Sequence, residues 1–356
     1  MSTYRIERHE KLGTPTDPTR AAIDADRLWE AADMANLGHP DFAYTATELA
    51  AYATEDSPEH MVFFMAYDGD RCAGFLRVDA PRHDNVHHIH AEFRTVPGVD
   101  PRSVLDAAWP ELLGYCDEQG RTSMTWWEPS RMDRPTIAAA SGEGAVEATA
   151  VTAWLQEKGF ALDQVEVAST LELSAEPAGG AWGGDVGVAK QGRYALRTWT
   201  GPTPPELLGG MARLRARMNI EAPHGNRPME EERWDAERIR RDDAMIVAAA
   251  RLGAWAVALD DEGEPVAYTY VECPDGRPGV AFQMDTFVRG SDRGHGLGMA
   301  VKAANLRQLR SVRPSVARLH TWNAGENEWM LAINRRLGFE PSSALGAWEL
   351  GEVPAR

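Results

Sequence analysis

A glycine-rich loop between a predicted strand and a predicted helix is the feature that most constrains how this chain can fold. Residues 280–288 are rich in Val, Phe and Met and contain no Gly or Pro, which predicts a buried strand. Gly294, Gly296 and Gly298 then lead into residues 299–306, which have helical periodicity. Glycines let the backbone approach a ligand closely, and a helix N-terminus offers unpaired N–H groups to an anion. The pattern predicts a phosphate-binding loop in an α/β fold.

Two well-known phosphate loops do not fit this spacing. A Walker loop requires a glycine, four residues and then Gly-Lys-Ser or Gly-Lys-Thr, and that pattern is absent. A dinucleotide fingerprint requires G-x-G-x-x-G, whereas the glycines here occupy alternate positions. The spacing Arg-Gly-x-Gly-x-Gly, which begins at Arg293, therefore belongs to another kind of loop.

Residues downstream of the loop indicate which kind. Asn323 ends the predicted strand 316–322, at the carboxyl edge of the sheet where ligands bind in open α/β folds. A predicted helix then spans residues 327–337, contains Asn334 and ends at Gly338-Phe339. Together with the loop, this pattern resembles the acyl-CoA site of the GNAT superfamily of N-acetyltransferases.

The order of predicted elements occurs twice, which we interpret as an internal duplication rather than two unrelated α/β domains. Both halves have the order strand, turn, strand, strand, helix, strand, helix, strand, and the second helix ends before Phe160 or Phe339. The resemblance implies two tandem GNAT-like domains, each a mixed, mostly antiparallel twisted sheet flanked by helices. This is the architecture of the tandem GNAT proteins of actinobacteria, such as mycothiol synthase. The predicted parts are a degenerate N-terminal domain, a Gly/Ala/Pro-rich linker and a C-terminal catalytic domain, at 1–175, 176–191 and 192–356.

The first half lacks the glycine loop. The matching stretch, residues 93–104, has a single glycine, and Pro101 at the predicted helix start removes a backbone donor. We therefore expect this half to support the fold and to wall the acceptor pocket. A non-productive CoA site there remains an alternative.

Composition limits the class of protein. The 356 residues have a net charge of −17, which argues against binding nucleic acid or anionic membranes. Cys72, Cys116 and Cys273 lack disulfide or metal-ligand spacing, as in a reducing cytoplasm. No run is long enough to cross a bilayer. We expect a cytoplasmic enzyme without a metal, as a monomer or homodimer.

Basic residues cluster around the glycine loop although the chain is acidic. This cluster predicts a surface for a multiply charged phosphate ligand, with a solvated helix face as the alternative. Asp292 is its one acidic member, and the basic ones are Arg289, Arg293, Lys302, Arg307, Arg310, Arg313 and Arg318.

The resemblance implies acetyl-CoA as the acyl donor and a set of residues that contact it. In this family a backbone N–H of the fourth strand, here near Phe287 or Val288, stabilises the oxyanion. The implied CoA-binding residues are Thr286, Phe287, Val288, Arg293, Gly294, His295, Gly296, Leu297, Gly298, Met299, Asn323 and Asn327.

Asp285 is the first candidate for the general base, because a lone carboxylate in an apolar strand needs a purpose or a partner. A structural hydrogen bond is the alternative explanation. Glu272 on the neighbouring strand is the next candidate. Glu221 lies in a segment that shapes the acceptor pocket in this superfamily, and its charge could attract a cationic amine.

The chain departs from the family pattern at Asn334, where many members have a Tyr. An amide can hydrogen-bond a sulfur atom but cannot act as an ordinary general acid. His320, Tyr268 and Tyr270 are possible substitutes, and the two tyrosines are also candidates for the substrate pocket.

The resemblance implies an N-acetyltransferase that transfers acetyl from acetyl-CoA to a small primary amine by direct attack in a ternary complex. One alternative is an aminoacyl-tRNA-dependent transferase on the same fold. Another is a non-catalytic protein that binds CoA or a protein partner.

Overall fold

The structure is a computed structural model, which describes residues 4–174, 193–221 and 230–354. The predicted linker at 176–191 lies outside the described residues.

The chain divides into two compact units. Among the described residues, unit 1 contains 4–167 and 342–354, and unit 2 contains 168–174, 193–221 and 230–341. Each unit is a set of residues that pack together, and neither is one continuous segment of the chain. The domain bounds proposed from the sequence, 1–175 and 192–356, therefore stay a prediction.

Unit 1 combines long strands with four helices. Its strands are β1 (Arg5–His9), β2 (Gly13–Thr14), β3 (Asp17–Pro18), β4 (Glu59–Asp68), β5 (Arg71–Pro81), β6 (His88–Thr95), β7 (Ser123–Ser130), β8 (Ile137–Ala138) and β9 (Ala145–Val146). Its helices are α1 (Arg20–Leu37), α2 (Ala46–Tyr52), α3 (Pro101–Gln119) and α4 (Ala150–Glu157). Strand β10 (Ala161–Glu172) begins in unit 1 and ends in unit 2.

Unit 2 repeats this plan. Its strands are β11 (Ala195–Thr200), β12 (Arg251–Leu259), β13 (Pro265–Pro274), β14 (Val280–Val288) and β15 (Arg318–Ala324). Its helices are α5 (Leu208–Glu221), α6 (Ala236–Ala248), α7 (Leu297–Val312) and α8 (Glu328–Leu337). The last strand of the chain, β16 (Glu340–Leu350), begins in unit 2, and from Ser342 onward it belongs to unit 1.

Both units contain a mixed sheet. Strands neighbour one another in the order β1-β4-β5-β6-β7-β16 in unit 1 and β10-β15-β14-β13-β12-β11 in unit 2. The pairs β6/β7 and β14/β15 are parallel. The other registered pairs in the two orders are antiparallel. The mixed, mostly antiparallel sheets with flanking helices predicted from the sequence are confirmed.

Helices cover both faces of each sheet, so its central strands are apolar at nearly every position. Along β4 the side chains alternate: Met61, Phe63 and Met65 pack with α1 and α2, while Val62 and Phe64 pack with α3. In unit 2, β13 is buried along its whole length between α5 on one face and α7 on the other.

Short elements escaped the sequence prediction. The segment 129–150 is rich in Gly, Ala and Ser and has no strand periodicity, yet it contains the hairpin formed by β8 and β9. Strand β1 has the sequence Arg-Ile-Glu-Arg-His, with one apolar residue, and only its pairing with β4 defines it. Helix α6 begins at Ala236, where Asp235 caps it by accepting a hydrogen bond from the Arg238 N–H.

Candidate acyl-CoA site

The parallel strands β14 and β15 separate soon after they pair. Their register runs from Val280 opposite Arg318 only to Phe282 opposite His320, a stretch of three residue pairs. In unit 1, β6 and β7 stay in register for five pairs. Among the described residues, 283–288 of β14 therefore have no register partner on the β15 side. This gap leaves one edge of β14 open to an extended ligand.

A β-bulge lies where the gap opens. Thr269 pairs with Thr286, but Val271 pairs with Gln283, so β14 carries one residue more than β13 here. The buried Gln283 side chain donates from Nε2 to the Thr269 hydroxyl at 2.8 Å and to the Tyr270 carbonyl at 2.7 Å. The Thr269 hydroxyl also lies 3.0 Å from the carbonyl oxygen of Asp285, positioned to donate to it. Side chains thus satisfy the backbone groups that the bulge removes from the ladder.

The glycine loop leads into a helix with an open N-terminus. Gly294 and Gly296 have φ values of 82° and 75°, in the left-handed region that favours glycine. Gly296 precedes the first residue of α7, and no side chain caps that helix. A Cβ atom at Gly298 would lie 3.1 Å from Ile333 Cδ1 and 3.7 Å from Val288 Cγ2, so α7 packs closely against α8 and the end of β14. The open helix end therefore lies beside the gap, as an acyl-CoA pyrophosphate would require.

The corresponding helix of unit 1 is closed to an anion. The Asp100 carboxylate accepts a hydrogen bond from the Arg102 N–H at 3.1 Å, and Pro101 opens the helix without an N–H. A negative charge therefore already occupies this helix end. The sequence analysis predicted the missing CoA loop from the single glycine and Pro101, and it did not identify the Asp100 cap.

The buried carboxylate of Asp292 anchors the loop. It accepts hydrogen bonds from Arg289 Nε at 2.7 Å, from the Ser291 hydroxyl at 2.7 Å and from the Tyr194 hydroxyl at 2.9 Å. Burial raises the pKa of Asp292, but the hydrogen bonds from these three donors outweigh burial and lower the pKa to about 2. The sequence had identified Asp292 only as an isolated acid, so its anchoring role was missed.

Two predicted CoA-loop residues are held by protein groups. Arg293 forms an ion pair with Glu221, and its Nε donates to the Val288 carbonyl at 3.2 Å. His295 Nδ1 lies 3.2 Å from the Asp292 carbonyl oxygen. The structure thus brings Glu221, predicted in the acceptor pocket, against the glycine loop.

Several of the seven basic residues predicted to form a surface around the loop are paired with acidic side chains or buried. Arg289 pairs with Asp260 as well as Asp292, and Arg313 pairs with Asp275. Lys302 is 1% exposed and lies inside the unit. The apolar neighbours of Lys302 in the sequence, Met-Ala-Val before it and Ala-Ala after it, were the signal for its burial.

Asp285 lies at the bulge, where it accepts a hydrogen bond from the Tyr268 hydroxyl at 3.2 Å. The Tyr268 hydroxyl also lies 3.0 Å from the sulfur of Met218 in α5. Burial, and next the charge of Asp285, raise the pKa of Tyr268 well above its usual value. Tyr268 therefore stays protonated and serves as a hydrogen-bond donor to Asp285.

An aromatic cluster, defined as Trp199, Trp234, Trp255 and Tyr270, packs in the same core as Tyr268, the hydrogen-bond donor to Asp285. Trp255 stacks on Tyr270 with ring centroids 4.1 Å apart. The buried Arg215 guanidinium lies 4.8 Å from the Trp234 ring and donates to Asp242. Burial lowers the pKa of Arg215, but its interactions with Tyr270, Tyr268 and Asp285 raise that pKa by more. Arg215 therefore keeps a permanent positive charge near Asp285. Sequence reasoning gave Arg215 no individual role.

Two other catalytic candidates have structural partners. Glu272 is 6% exposed, and its carboxylate accepts from Arg251 Nη1 at 2.9 Å. His320 is 1% exposed, and its Nδ1 lies 2.9 Å from the Thr170 hydroxyl. Both side chains are therefore engaged by other residues of the unit, which favours a structural role for each.

The polar residues near the end of β15 form a chain. Lys302 Nζ donates to Asn334 Oδ1 at 2.6 Å, and Asn334 Nδ2 donates to Asn323 Oδ1 at 2.6 Å. Asn327 instead caps α8, where its side chain accepts from the Met330 N–H at 3.2 Å. Of the three predicted asparagines, the structure joins two through side chains.

A cavity of about 340 Å³ opens in unit 1 between the ends of β6 and β7. Its lining includes Phe93, Arg94, Glu128 and Val151. Arg94 is fully engaged, by Asp33, Glu92 and the Phe93 carbonyl. Burial raises the pKa of Glu128 to about 7, although Arg94 and the Trp126 N–H lower it.

Within the described ranges, no cluster of three or more His, Cys, Asp or Glu side chains could hold a metal ion. No helix there is long and apolar enough to span a membrane.

Comparison with known proteins relates the chain to solved structures. No protein-family model and no curated protein sequence matches it. A tandem GNAT protein from the clavulanic acid biosynthesis pathway superposes with a TM-score of 0.73 at 21% identity, over 99% of this chain and 100% of that chain. A GCN5-related N-acetyltransferase from Sphaerobacter thermophilus gives a TM-score of 0.59 at 17% identity, over 100% and 98% of the two chains.

These similarities define the fold. The architecture is the GNAT fold of the two proteins on which the chain superposes. More particularly, it is the tandem form, because the alignment with a tandem GNAT protein covers nearly the whole of both chains. The predicted tandem GNAT-like fold is confirmed.

Proposed function

We propose that unit 2 is an acyl-CoA-dependent N-acyltransferase, which transfers acetyl from acetyl-CoA to a primary amine of a small molecule. The observation that carries this proposal is the gap between β14 and β15, which lies beside the open N-terminus of α7. An extended thioester ligand with a pyrophosphate at one end matches that combination. The predicted location in the cytoplasm is part of the same proposal.

The described residues fit such a ligand. Backbone N–H groups from Gly294 to Met299 would hold the pyrophosphate, because no side chain caps them and glycines give close access. The free edge of β14 at Thr286–Val288 would pair with the amide groups of the pantetheine arm. Asn323 and Asn327 would line the opposite side of the gap.

We assign the role of general base to Asp285. The amine nitrogen attacks the thioester carbonyl carbon, a C–N bond forms, and the nitrogen passes its proton to Asp285 directly or through water. As the C–S bond breaks, the electron pair leaves on sulfur. A backbone N–H near Phe287 or Val288 would stabilise the charge that develops on the carbonyl oxygen.

Two carboxylates would attract a cationic acceptor. Asp285 lies at the bulge, where the Tyr268 hydroxyl orients it, and Glu221 lies at the glycine loop. Tyr270 and its stacked Trp255 would supply an apolar wall. Glu221 is paired with Arg293, so an incoming ammonium group would compete for that carboxylate.

The arginine pairs reduce support for the RNA-dependent alternative. Arg289 and Arg313 are neutralised by carboxylates instead of forming a phosphate-binding surface. The non-catalytic alternative remains, and catalysis must be measured to decide it.

Calorimetric titration with acetyl-CoA tests the binding site. The variant places a carboxylate at the N-terminus of α7, as Asp100 does at the N-terminus of α3 in unit 1. Gly296→Asp places a carboxylate beside the α7 N–H groups, and we expect acetyl-CoA affinity to fall by more than about tenfold, or about 1.4 kcal/mol. Gly296→Asn keeps the shape without the charge and should bind more tightly than Gly296→Asp. Gly201→Asp is the matched control, because Gly201 has a φ of 76° in the same unit but lies outside the loop.

Release of free CoA thiol with a panel of primary amines tests catalysis. We expect turnover by the natural chain, and Asp285→Asn should lower kcat by roughly 10²-fold or more. The binding proposal fails if acetyl-CoA does not bind, or if Gly296→Asp binds as well as Gly201→Asp. Tight binding without turnover for any amine would favour the non-catalytic alternative.

A further inference from the structure

Lys302 lies in an apolar environment inside unit 2. It is 1% exposed, between Val301 and Ala303 in α7, and its ammonium group lies 5.5 Å from the Phe339 ring centroid. Its recorded hydrogen bond goes to the neutral side chain of Asn334. Burial alone lowers the pKa of Lys302 to about 7. A lysine in such a place costs folding free energy that methionine or leucine would avoid, which indicates a role for the amine.

The chemistry of the ammonium group fixes the direction of the hydrogen-bond chain. A charged lysine has donors only, so Asn334 must turn its oxygen toward Lys302. The amide nitrogen of Asn334 then faces Asn323, which must present its oxygen in turn. The remaining polar group of Asn323 is its own NH₂.

The chain ends at the gap. Asn323 lies near the carboxyl end of β15, beyond His320, where pairing with β14 has stopped. Asn323 is half-buried, whereas Lys302 and Asn334 are buried. The three residues therefore connect a buried amine to an N–H donor beside the open edge of β14.

We propose that Lys302 is a positioning residue, which through Asn334 holds the Asn323 amide with its N–H groups toward the leaving sulfur atom. This inference rests on the proposed acyl transfer. Of the three hydrogen-bonded residues, Asn323 would be the catalytic one, because it alone would touch the leaving sulfur atom. Its N–H stabilises negative charge on sulfur, and the aligned amide dipoles strengthen that donor, as does the charge of Lys302 when its amine is protonated.

No general acid is needed at this step. When the C–S bond breaks, sulfur keeps the electron pair, and a thiol with an ordinary pKa of about 8.5 leaves readily as a thiolate when a hydrogen bond stabilises it. The proton from the amine goes to Asp285 and then to water. The thiolate takes a proton from water after it leaves. This accounts for an amide, Asn334, in the position where relatives use a tyrosine.

The first test replaces the lysine. Lys302→Met keeps most of the volume and removes the donor, and Lys302→Arg keeps a donor. For Lys302→Met we expect kcat to fall by roughly 10- to 100-fold, with the KM for acetyl-CoA within about twofold. The thiol pKa of bound CoA, followed by thiolate absorbance, should rise by about one unit. Lys302→Arg should recover most of the loss.

A second variant addresses the case in which Lys302→Met does not fold. Asn334→Asp has the same shape and gives Lys302 a charged partner, but it offers only acceptors to Asn323. The Asn323 amide must then turn, so its oxygen faces the gap. We expect a stable protein that binds acetyl-CoA, has a lower kcat and raises the thiol pKa of bound CoA. Asn305→Leu is the control, since this buried α7 amide donates to the Ala254 carbonyl instead.

The outcomes distinguish failure of the proposed function from failure of the inference about Lys302. If the natural chain does not bind acetyl-CoA, the proposed function and this inference both fail. If acetyl-CoA binds and is turned over, but Lys302→Met or Asn334→Asp leaves kcat and the thiol pKa of bound CoA unchanged, only the inference fails. An equal loss of kcat in Asn305→Leu would also overturn the inference, because it would show that removing any buried polar side chain from α7 lowers kcat.

Discussion

Burial shifts the pKa of Glu128 and that of Lys302 in opposite directions, because it disfavours the charged form of each group. The apolar neighbours of Lys302 in the sequence indicate its burial, but nothing in the sequence indicates the Glu128 shift. Glu128 follows two tryptophans in β7, and its environment depends on Arg94, Glu92 and Asp33 from other elements. At this scale, residue types are visible in the sequence but their partners are not.

Glu128 gives a pH-dependent prediction for unit 1. Its pKa rises from an ordinary value of 4.5 to about 7 in the folded chain. Between these values the unfolded chain releases a proton that the folded chain keeps, so stability falls as pH rises through this window. Glu128→Gln should therefore gain about 1 kcal/mol at pH near 8, or roughly 2–4 °C in Tm, and little at pH near 4.

Calorimetric melting at the two pH values measures this effect. Glu143→Gln is the control, since Glu143 is an exposed carboxylate in the loop that carries the β8–β9 hairpin. A Tm gain for Glu128→Gln that is equal at both pH values would contradict the assignment, because it would not depend on ionisation.

At the scale of the element, the bulge and the gap decide the shape of the site. Helical and strand periodicity, together with the alternating glycines, were enough to predict β14, the loop and α7 in order. The bulge was not predictable, because it depends on Gln283 reaching across to Tyr270 on β13. The contact of Lys302 with Asn334 joins residues 32 positions apart, for which periodicity gives no information.

Gln283 provides a test of the bulge. Gln283→Leu removes the donor to Thr269 and the Tyr270 carbonyl, and we expect a loss of about 1–3 kcal/mol in unfolding free energy. Because the bulge positions Asp285, kcat should fall as well. Gln308→Leu is the control, since that side chain makes one hydrogen bond, to the Trp199 carbonyl. Urea unfolding and steady-state rates measure both, and an unchanged kcat for Gln283→Leu would contradict a role for the bulge.

At the scale of the whole molecule, sequence order and compact units differ. The duplication predicts that each half contains its own last strand. In the structure, unit 1 includes residues 342–354, and β16 pairs with β7 from Ala344 opposite Ser130 to Leu350 opposite Met124. The sequence repeat gives the order of elements but not which copy of the last strand joins which sheet.

A fragment experiment tests this assignment. Residues 1–175 alone lack β16, so β7 loses a partner and the core loses the fully buried Trp348. Losing one buried tryptophan side chain typically costs about 3–5 kcal/mol, so we expect this fragment to show no cooperative thermal transition. Residues 340–354 attached through a flexible linker should restore it, and the same attachment with Trp348→Asp should not. Cooperative melting of 1–175 alone would contradict the assignment.

Membership of β16 in unit 1 also has a consequence for synthesis of the chain. The first half emerges from the ribosome well before residues 342–354, a delay on the order of ten seconds or more at ordinary elongation rates. Throughout that interval β7 has an unpaired edge, the kind of surface that recruits other strands. Folding of the first half therefore depends on residues 342–354, which are translated after it, and chains terminated before these residues would be open to aggregation.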